Sequence, residues 1–244
     1  MSGQRPLLVL VGPPGAGKTM VGRTLARRLG VGFTDVDALI VERVGKPISA
    51  IFTDDGEDAF REVERAVVAD ALATAGGVLA LGGGSVLAAE TRERLRGHRV
   101  VLLWVGLADG VRRVGLSTAR PLLAGVNPRA TFKTLLDARA PLYREVATVE
   151  VDTSRRTVGQ VARAVLLEVA RVHPGVLDDA VVAAAAEPTP PGGTPVPTGV
   201  LGDPDSVSVH PDADQQDAPD ADGLGAPAPA AGVPLPDPFV RRRP

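Results

Sequence analysis

"GPPGAGKT", residues 12–19, decides how the rest of the chain is read. It fits the spacing G-x-x-x-x-G-K-[ST], in which a glycine-rich turn joins a strand to a helix. The run before it, "LLVLV" at 7–11, is short, apolar and unbroken, as a parallel strand buried on both faces requires. The run after it, "KTMVGRTLARRLG", has helical spacing and closes on Gly30. In this setting the backbone N–H groups of Gly15, Ala16, Gly17, Lys18, Thr19 and Met20 are expected to converge on the phosphate oxygens of a nucleotide. Gly15 and Gly17 let the backbone approach closely. Lys18 is expected to reach the β- and γ-phosphates, and the Thr19 hydroxyl to ligate Mg²⁺. A plain strand-to-helix turn with an exposed lysine is the structural alternative.

Outward from this loop, strand-like and helix-like segments alternate. "VGFTDVD" (31–37), "VLALGGG" (78–84), "RVVLLWV" (99–105) and "TVEVDT" (148–153) read as further strands. "GEDAFREVERAVVADALATAGG" (56–77), "ETRERLRG" (90–97), "LADGVRRVG" (107–115) and "TVGQVARAVLLEVARV" (157–172) read as helices. In the last of these Val158, Val161, Ala162, Val165 and Val169 share one face. "ATFKTLLDARAPLYREV" (130–146) is largely helical, with a break expected near Pro141. The order predicts an α/β fold: a parallel β-sheet flanked by α-helices on both faces. Such sheets place ligand sites at the carboxyl ends of their strands. Asp35 and Asp37 stand at one such end. As strand residues they point to the same face. With the first two strands close together they face the phosphate site, where a dication and Lys18 balance their charge.

Composition sets the limits. The 244 residues suffice for one domain with a substantial core. There is no cysteine, hence no disulfide framework and no thiolate zinc site. No apolar run is long enough to span a membrane. The one near the N-terminus is too short for a signal peptide, so a cytoplasmic location is expected. The formal net charge of −2 divides unevenly: from Asp178 onward the chain carries −8, and the part before it about +6. A basic body suits nucleic acid or a small anion. With 3% aromatics there are no platforms for stacking bases, which favours the small anion. Fourteen of the 22 prolines lie beyond Glu187, in stretches that cannot bury enough apolar surface to offset chain entropy. The expected organisation is a folded domain at 1–177 and a disordered Pro/Ala/Gly/Asp-rich tail at 178–244, with room for a short helix over 181–186.

Seven motifs in order, "GPPGAGKT", "DVD", "IFTDDGEDAFREVE", "LGGGSV", "RPLLAG", "ARAPLYREVA" and "VDTSRR", together resemble the shikimate kinase family of small P-loop kinases. The resemblance spans about Leu7 to Val172. It implies a fold like that of the nucleoside monophosphate kinases, with a mobile lid. It implies an enzyme that phosphorylates the 3-hydroxyl of shikimate with ATP and one Mg²⁺ ion, on the route to chorismate and the aromatic amino acids. Asp35, with Thr19, is implied to hold the magnesium, and Asp37 to contact the attacking hydroxyl as base or orienter. The residues themselves leave open that Asp37 only caps the helix over "ALIVERVG". The resemblance further implies that Arg61 and Arg139 bind the shikimate carboxylate and that Glu64 supports the site. A planar guanidinium grips a carboxylate bidentately, as Lys cannot. Gly82, Gly83 and Gly84 are implied to lie against the substrate, and Ile48, Phe52 and Phe60 to line the ring pocket. By helical spacing alone Arg61 pairs with Glu57 or Glu64, and the two phenylalanines are core residues. "GLSTARPLLAGVNP" (115–128) resembles the lid, with Arg120 meeting the transferring phosphate. Arg113 and Arg156 match positions that contact the nucleotide, with plain surface charges as the alternative. The expected partners are ATP and shikimate, with no nucleic acid and no membrane, and the chain is expected to act as a monomer.

Two other readings share the loop. A gluconate-type small-molecule P-loop kinase would have the same loop and lid, but paired arginines around a triple glycine favour a carboxylated polyol. A nucleotide-dependent switch or binding module is the other. A GTPase would carry an N-K-x-D guanine reader, which the chain lacks, and an inactive relative is expected to lose Lys18 or Asp37, both of which are present.

Overall fold

Leu8–Val11 forms β1, with all four residues buried. Its side chains alternate between the two faces of the sheet: Leu8 and Leu10 enter one apolar cluster, Val9 and Val11 the other. The computed structural model describes residues 5–115 and 127–187. The segment 116–126, which holds Arg120 and most of the expected lid, lies outside the described residues, as does everything from 188 on.

After β1 come α1 (Lys18–Leu29), β2 (Phe33–Asp35), α2 (Val36–Val44), α3 (Ile48–Asp54), α4 (Gly56–Thr74) and β3 (Val78–Ala80). A 3-10 turn (Ser85–Leu87), α5 (Ala89–Leu95), β4 (Val100–Trp104) and α6 (Leu107–Gly115) follow. The described chain ends with α7 (Pro128–Val146), β5 (Val149–Asp152), α8 (Val158–Val172) and α9 (Asp179–Ala186). The five strands are all parallel, in the order β2-β3-β1-β4-β5, with Leu8 opposite Val78 and Val9 opposite Val100. On one face α1 and α8 pack through Leu25, Val161, Val165 and Val169. On the other α2 and α4 pack through Ile40, Val67 and Val68. This is the expected sheet covered on both sides. No described helix is long and apolar enough to cross a membrane.

Some details differ from the sequence reading. β1 and β2 are not neighbours, because β3 lies between them. Local sequence carries no strand order, so only the crossover of α1 over the sheet decides it. α7 does not break at Pro141 but runs through it. The proline removes one backbone hydrogen bond, and Phe132, Leu136 and Tyr143, buried on either side of it, hold the helix in place.

Past 177 the described chain adds one more helix that packs on α8. Leu177 is 6% exposed and joins the main apolar cluster. The Asp178 side chain caps α9 by accepting from the Ala180 N–H, 2.8 Å away. Ala185 is buried, Val181 and Val182 pack against the same cluster, and Arg163 of α8 donates to the last carbonyls of α9, at Ala185 and Ala186. The sequence leaves room for this short helix, and composition averaged over the tail hides only its packing against α8.

Truncation after Val176 therefore lowers the melting temperature, and Leu177→Ala alone costs about 2–5 kcal/mol. Thermal and urea unfolding of the two variants check this. Wild-type stability in both would show that α9 contributes nothing to the core.

Candidate active site

The phosphate loop is shaped by its backbone before any ligand enters. Gly12 has φ 145° and approaches β4 so closely that a Cβ there would stand 2.2 Å from the Leu103 carbonyl oxygen. Gly17 takes a left-handed conformation, φ 87°, and turns the chain into α1. Lys18, 9% exposed, donates to the carbonyls of Gly12 at 2.8 Å and Pro13 at 3.2 Å. Its ammonium is thus held over the loop beside the helix N-terminus, where an anion is favoured. Ala16 is buried, and Met20 is exposed on the first turn of α1.

The two aspartates divide their work. Thr19 donates to Asp35 Oδ2 at 2.7 Å, and the Asp37 N–H donates to Asp35 Oδ1 at 3.1 Å. Strand β2 ends at Asp35, which is the N-cap of α2, and Asp37 lies in the first helical turn. The expectation of two strand residues on one face is corrected, since Val36 already starts the helix. The residue that caps is Asp35, not Asp37. The helix N-terminus favours both negative charges. Although β3 separates β2 from β1, Thr19 still reaches Asp35 from the first turn of α1.

Beyond β3 the segment "GGGS" gathers most of the remaining candidates. A Cβ on Gly82 would lie 2.8 Å from Glu64 Oε1 and 3.0 Å from Asp37 Oδ1. One on Gly83 would lie 3.2 Å from Pro14 of the phosphate loop. One on Gly84 would lie 2.3 Å from Arg61 Nη1. Glu64, 3% exposed, accepts from Ser85 Oγ at 2.7 Å and from Arg61 Nη1 at 2.6 Å. Arg61 also donates to Glu57, from Nη2 at 3.0 Å and Nε at 3.2 Å. Burial works against the Arg61 charge, and the Glu64 and Glu57 carboxylates outweigh it, so its pKa is raised. Among the described residues three of its five N–H donors are engaged, which leaves two for a ligand. Arg139 of α7 is half-buried and donates from Nη1 to the Gly83 carbonyl at 3.0 Å. The helix-face pairing of Arg61 and its place against the triple glycine therefore coexist.

The aromatic candidates pack together beside Arg61, whose guanidinium carbon lies 5.2 Å over the Phe60 ring. Phe60 is buried, Phe52 stacks on it with ring centroids 4.5 Å apart, and Ile48 packs against the same cluster. Arg113 ties the phosphate loop to the loop after β5: it donates to the Gly15 carbonyl at 3.2 Å and to the Thr153 hydroxyl and carbonyl at 3.1 and 2.8 Å. Arg156 lies exposed on that same loop. Ser85, Thr153 and Tyr143 were not singled out by the sequence. The Ser85 position directly after the triple glycine was the one local signal among them.

A strand-loop-helix phosphate cradle that touches, through Pro14 and Gly83, a strip lined by carboxylates and guanidinium groups defines a P-loop kinase acting on a small acceptor. The model of the shikimate kinase family matches residues 14–170, and the chain belongs to that family. It is 67% identical over 148 residues to the shikimate kinase of Saccharopolyspora erythraea, covering 61% of this chain and 85% of that protein. To the shikimate kinase of Thermobifida fusca it is 57% identical over 164 residues, 67% of this chain and 95% of that one. Among solved structures it resembles a shikimate kinase from Acinetobacter baumannii in complex with shikimate, with TM-score 0.67 and 36% identity over 71% of this chain and 97% of the other.

The capping role of Asp35 has a measurable consequence. Asp35→Ala removes the α2 cap and the Thr19 partner and lowers stability by about 1–2 kcal/mol. Asp35→Asn keeps an acceptor for the Asp37 N–H and costs less. Equal losses in urea titrations of the two variants would contradict the cap.

Proposed function

We propose that the chain transfers the γ-phosphoryl group of ATP to the 3-hydroxyl of shikimate. The observation that carries this reading is the convergence at "GGGS": Arg61 against Gly84, Arg139 on the Gly83 carbonyl, Asp37 beside Gly82, and the phosphate loop against Gly83. Two guanidinium groups next to one strip suit a carboxylate, and a carboxylate beside the phosphate loop suits a hydroxyl that attacks. Held by its acid group at Arg61 and Arg139, a ring acceptor turns a hydroxyl toward Asp37. Asp37 orients that hydroxyl and takes its proton as the oxygen attacks phosphorus. Lys18 leaves its loop carbonyls for the phosphate oxygens and offsets the charge that builds on them. Arg120, outside the described residues, takes a phosphate-stabilising role on its motif alone.

The oxygen donors of Thr19 and Asp35, at the mouth of the loop, fit magnesium. Among the described residues no group of three or more His, Cys, Asp or Glu can hold a metal. Held there by Thr19 and Asp35, magnesium would supply positive charge against the nucleotide phosphates. The Arg113 tether holds a guanidinium against Gly15 of the phosphate loop, which suits a contact with the nucleotide.

A coupled ADP-release assay with shikimate, quinate and gluconate tests the reading, with shikimate expected to be turned over fastest. Lys18→Ala abolishes transfer in a folded protein, and Asp37→Asn lowers kcat by about 10² or more. Equal turnover of gluconate, or near-normal turnover by Lys18→Ala, would overturn it.

A further inference from the structure

Tyr143, the only tyrosine in the chain, is fully buried in the apolar cluster under α7. Its ring fills volume that a phenylalanine would fill equally. Its hydroxyl does something else: it donates to the Gly83 carbonyl, which also accepts from Arg139 Nη1 at 3.0 Å. A carbonyl oxygen has two lone pairs, and here both are taken by one helix. Tyr143 and Arg139 stand four residues apart on α7, so they leave the same face one turn from each other. The unbroken passage of α7 through Pro141 keeps them in that register.

We propose that Tyr143 is a positioning residue for the carboxylate end of the acceptor site. Its hydroxyl fixes the Gly83–Gly84 peptide plane and, through the shared carbonyl, the direction of the Arg139 guanidinium. This rests on the reading of Arg139 as a carboxylate ligand. With Nη1 anchored on Gly83, the Nε–Nη2 edge of Arg139 has no protein acceptor among the described residues and faces a second partner side-on. The peptide plane matters as well. No peptide bond is cis among the described residues, so the Gly84 N–H points opposite to the Gly83 carbonyl, away from α7. Among the described residues no hydrogen bond from that N–H is formed, so it is a donor available to the acceptor molecule.

The Ser85 N–H donates to the Gly82 carbonyl at 3.2 Å and closes the turn over this peptide, whose own carbonyl is held from α7 alone among the described residues. Glu64 holds the Ser85 hydroxyl, and Arg92 of α5 holds the carbonyls of Val86 and Leu87 at 2.9 and 3.2 Å. Removing the Tyr143 hydroxyl leaves the Gly83 carbonyl to Arg139 alone, so the guanidinium loses its fixed direction while the fold keeps its ring.

Steady-state kinetics on the full chain test this. Tyr143→Phe raises the KM for shikimate about tenfold, with a smaller change in kcat and a KM for ATP within about twofold. Discrimination between shikimate and its carboxamide falls in the same variant. In an Arg139→Lys background the Tyr143→Phe change adds little, because both act through one contact. Because the chain has one tyrosine, biosynthetic 3-fluorotyrosine gives a single ¹⁹F resonance, and this probe needs no substitution. That resonance shifts on titration with shikimate and not with ATP. A silent resonance, an unchanged shikimate KM in Tyr143→Phe, or full additivity with Arg139→Lys overturns the proposal. If Arg139→Lys also leaves the shikimate KM and the carboxamide discrimination unchanged, the carboxylate-site reading itself falls. If Arg139→Lys alone raises that KM, only the role of Tyr143 falls.

Discussion

A carboxylate as buried as Glu64 is tolerated only where hydrogen bonds and a counter-charge replace water. Ser85 supplies the one at 2.7 Å and Arg61 the other at 2.6 Å, and both belong to the acceptor side of the site. The contact binds α4 to the segment after β3 and sets Arg61 against Gly84. Taking away Arg61 leaves the Glu64 charge uncompensated inside the protein, a loss of about 3–5 kcal/mol, and taking away the Ser85 hydroxyl leaves one carboxylate oxygen without its donor, a loss of about 1–3 kcal/mol. The same segment is held from α7 by Arg139 and Tyr143 and from α5 by Arg92, so three helices fix a strip of backbone that has no regular ladder of its own. The donor side is simpler, being one loop whose glycines set its path.

That difference explains what could be read in advance. The phosphate loop is contiguous, and glycine spacing with a flanking strand and helix dictates its backbone, so residues 12–19 disclose it directly. The pairing of Arg61 with Glu57 and Glu64 follows from helical spacing, and the triple glycine announces close approach; the structure contains both at once. Thr19 and Asp35, read from the sequence as magnesium ligands, bond to each other directly, with Asp35 capping α2 and β3 lying between β1 and β2. Thr153 and Tyr143 were illegible because their partners lie 40 and 60 residues away and depend on sheet order, and Ser85, whose partner lies 21 residues away, was marked only by its place after the triple glycine.

Averaging hid other features. The acid and proline content after residue 177 is that of a chain with no core, yet "LDDAVVAAAA" carries a cap and a stripe of small apolar groups that α8 can cover. Pro141 reads as a break because a proline removes a donor. One lost bond is outweighed by the burial of the residues around it. Arg113 reads as a surface charge or a nucleotide contact, and its donors are engaged by Gly15 and Thr153, which makes it a strut between two loops of the same site.

The central claim is that the acceptor strip is preassembled, with Arg61 held against the bare backbone of Gly84. Gly84→Ala tests it with one methyl group. The added Cβ would meet Arg61 Nη1 at 2.3 Å and Nη2 at 2.8 Å, and since both are the end of a side chain, the fold survives while the guanidinium moves. Calorimetric titration of the purified variant should show shikimate bound about tenfold or more weakly, a loss of ~1.4 kcal/mol or greater, with ATP affinity close to wild type. Wild-type affinity for shikimate in Gly84→Ala would contradict the account.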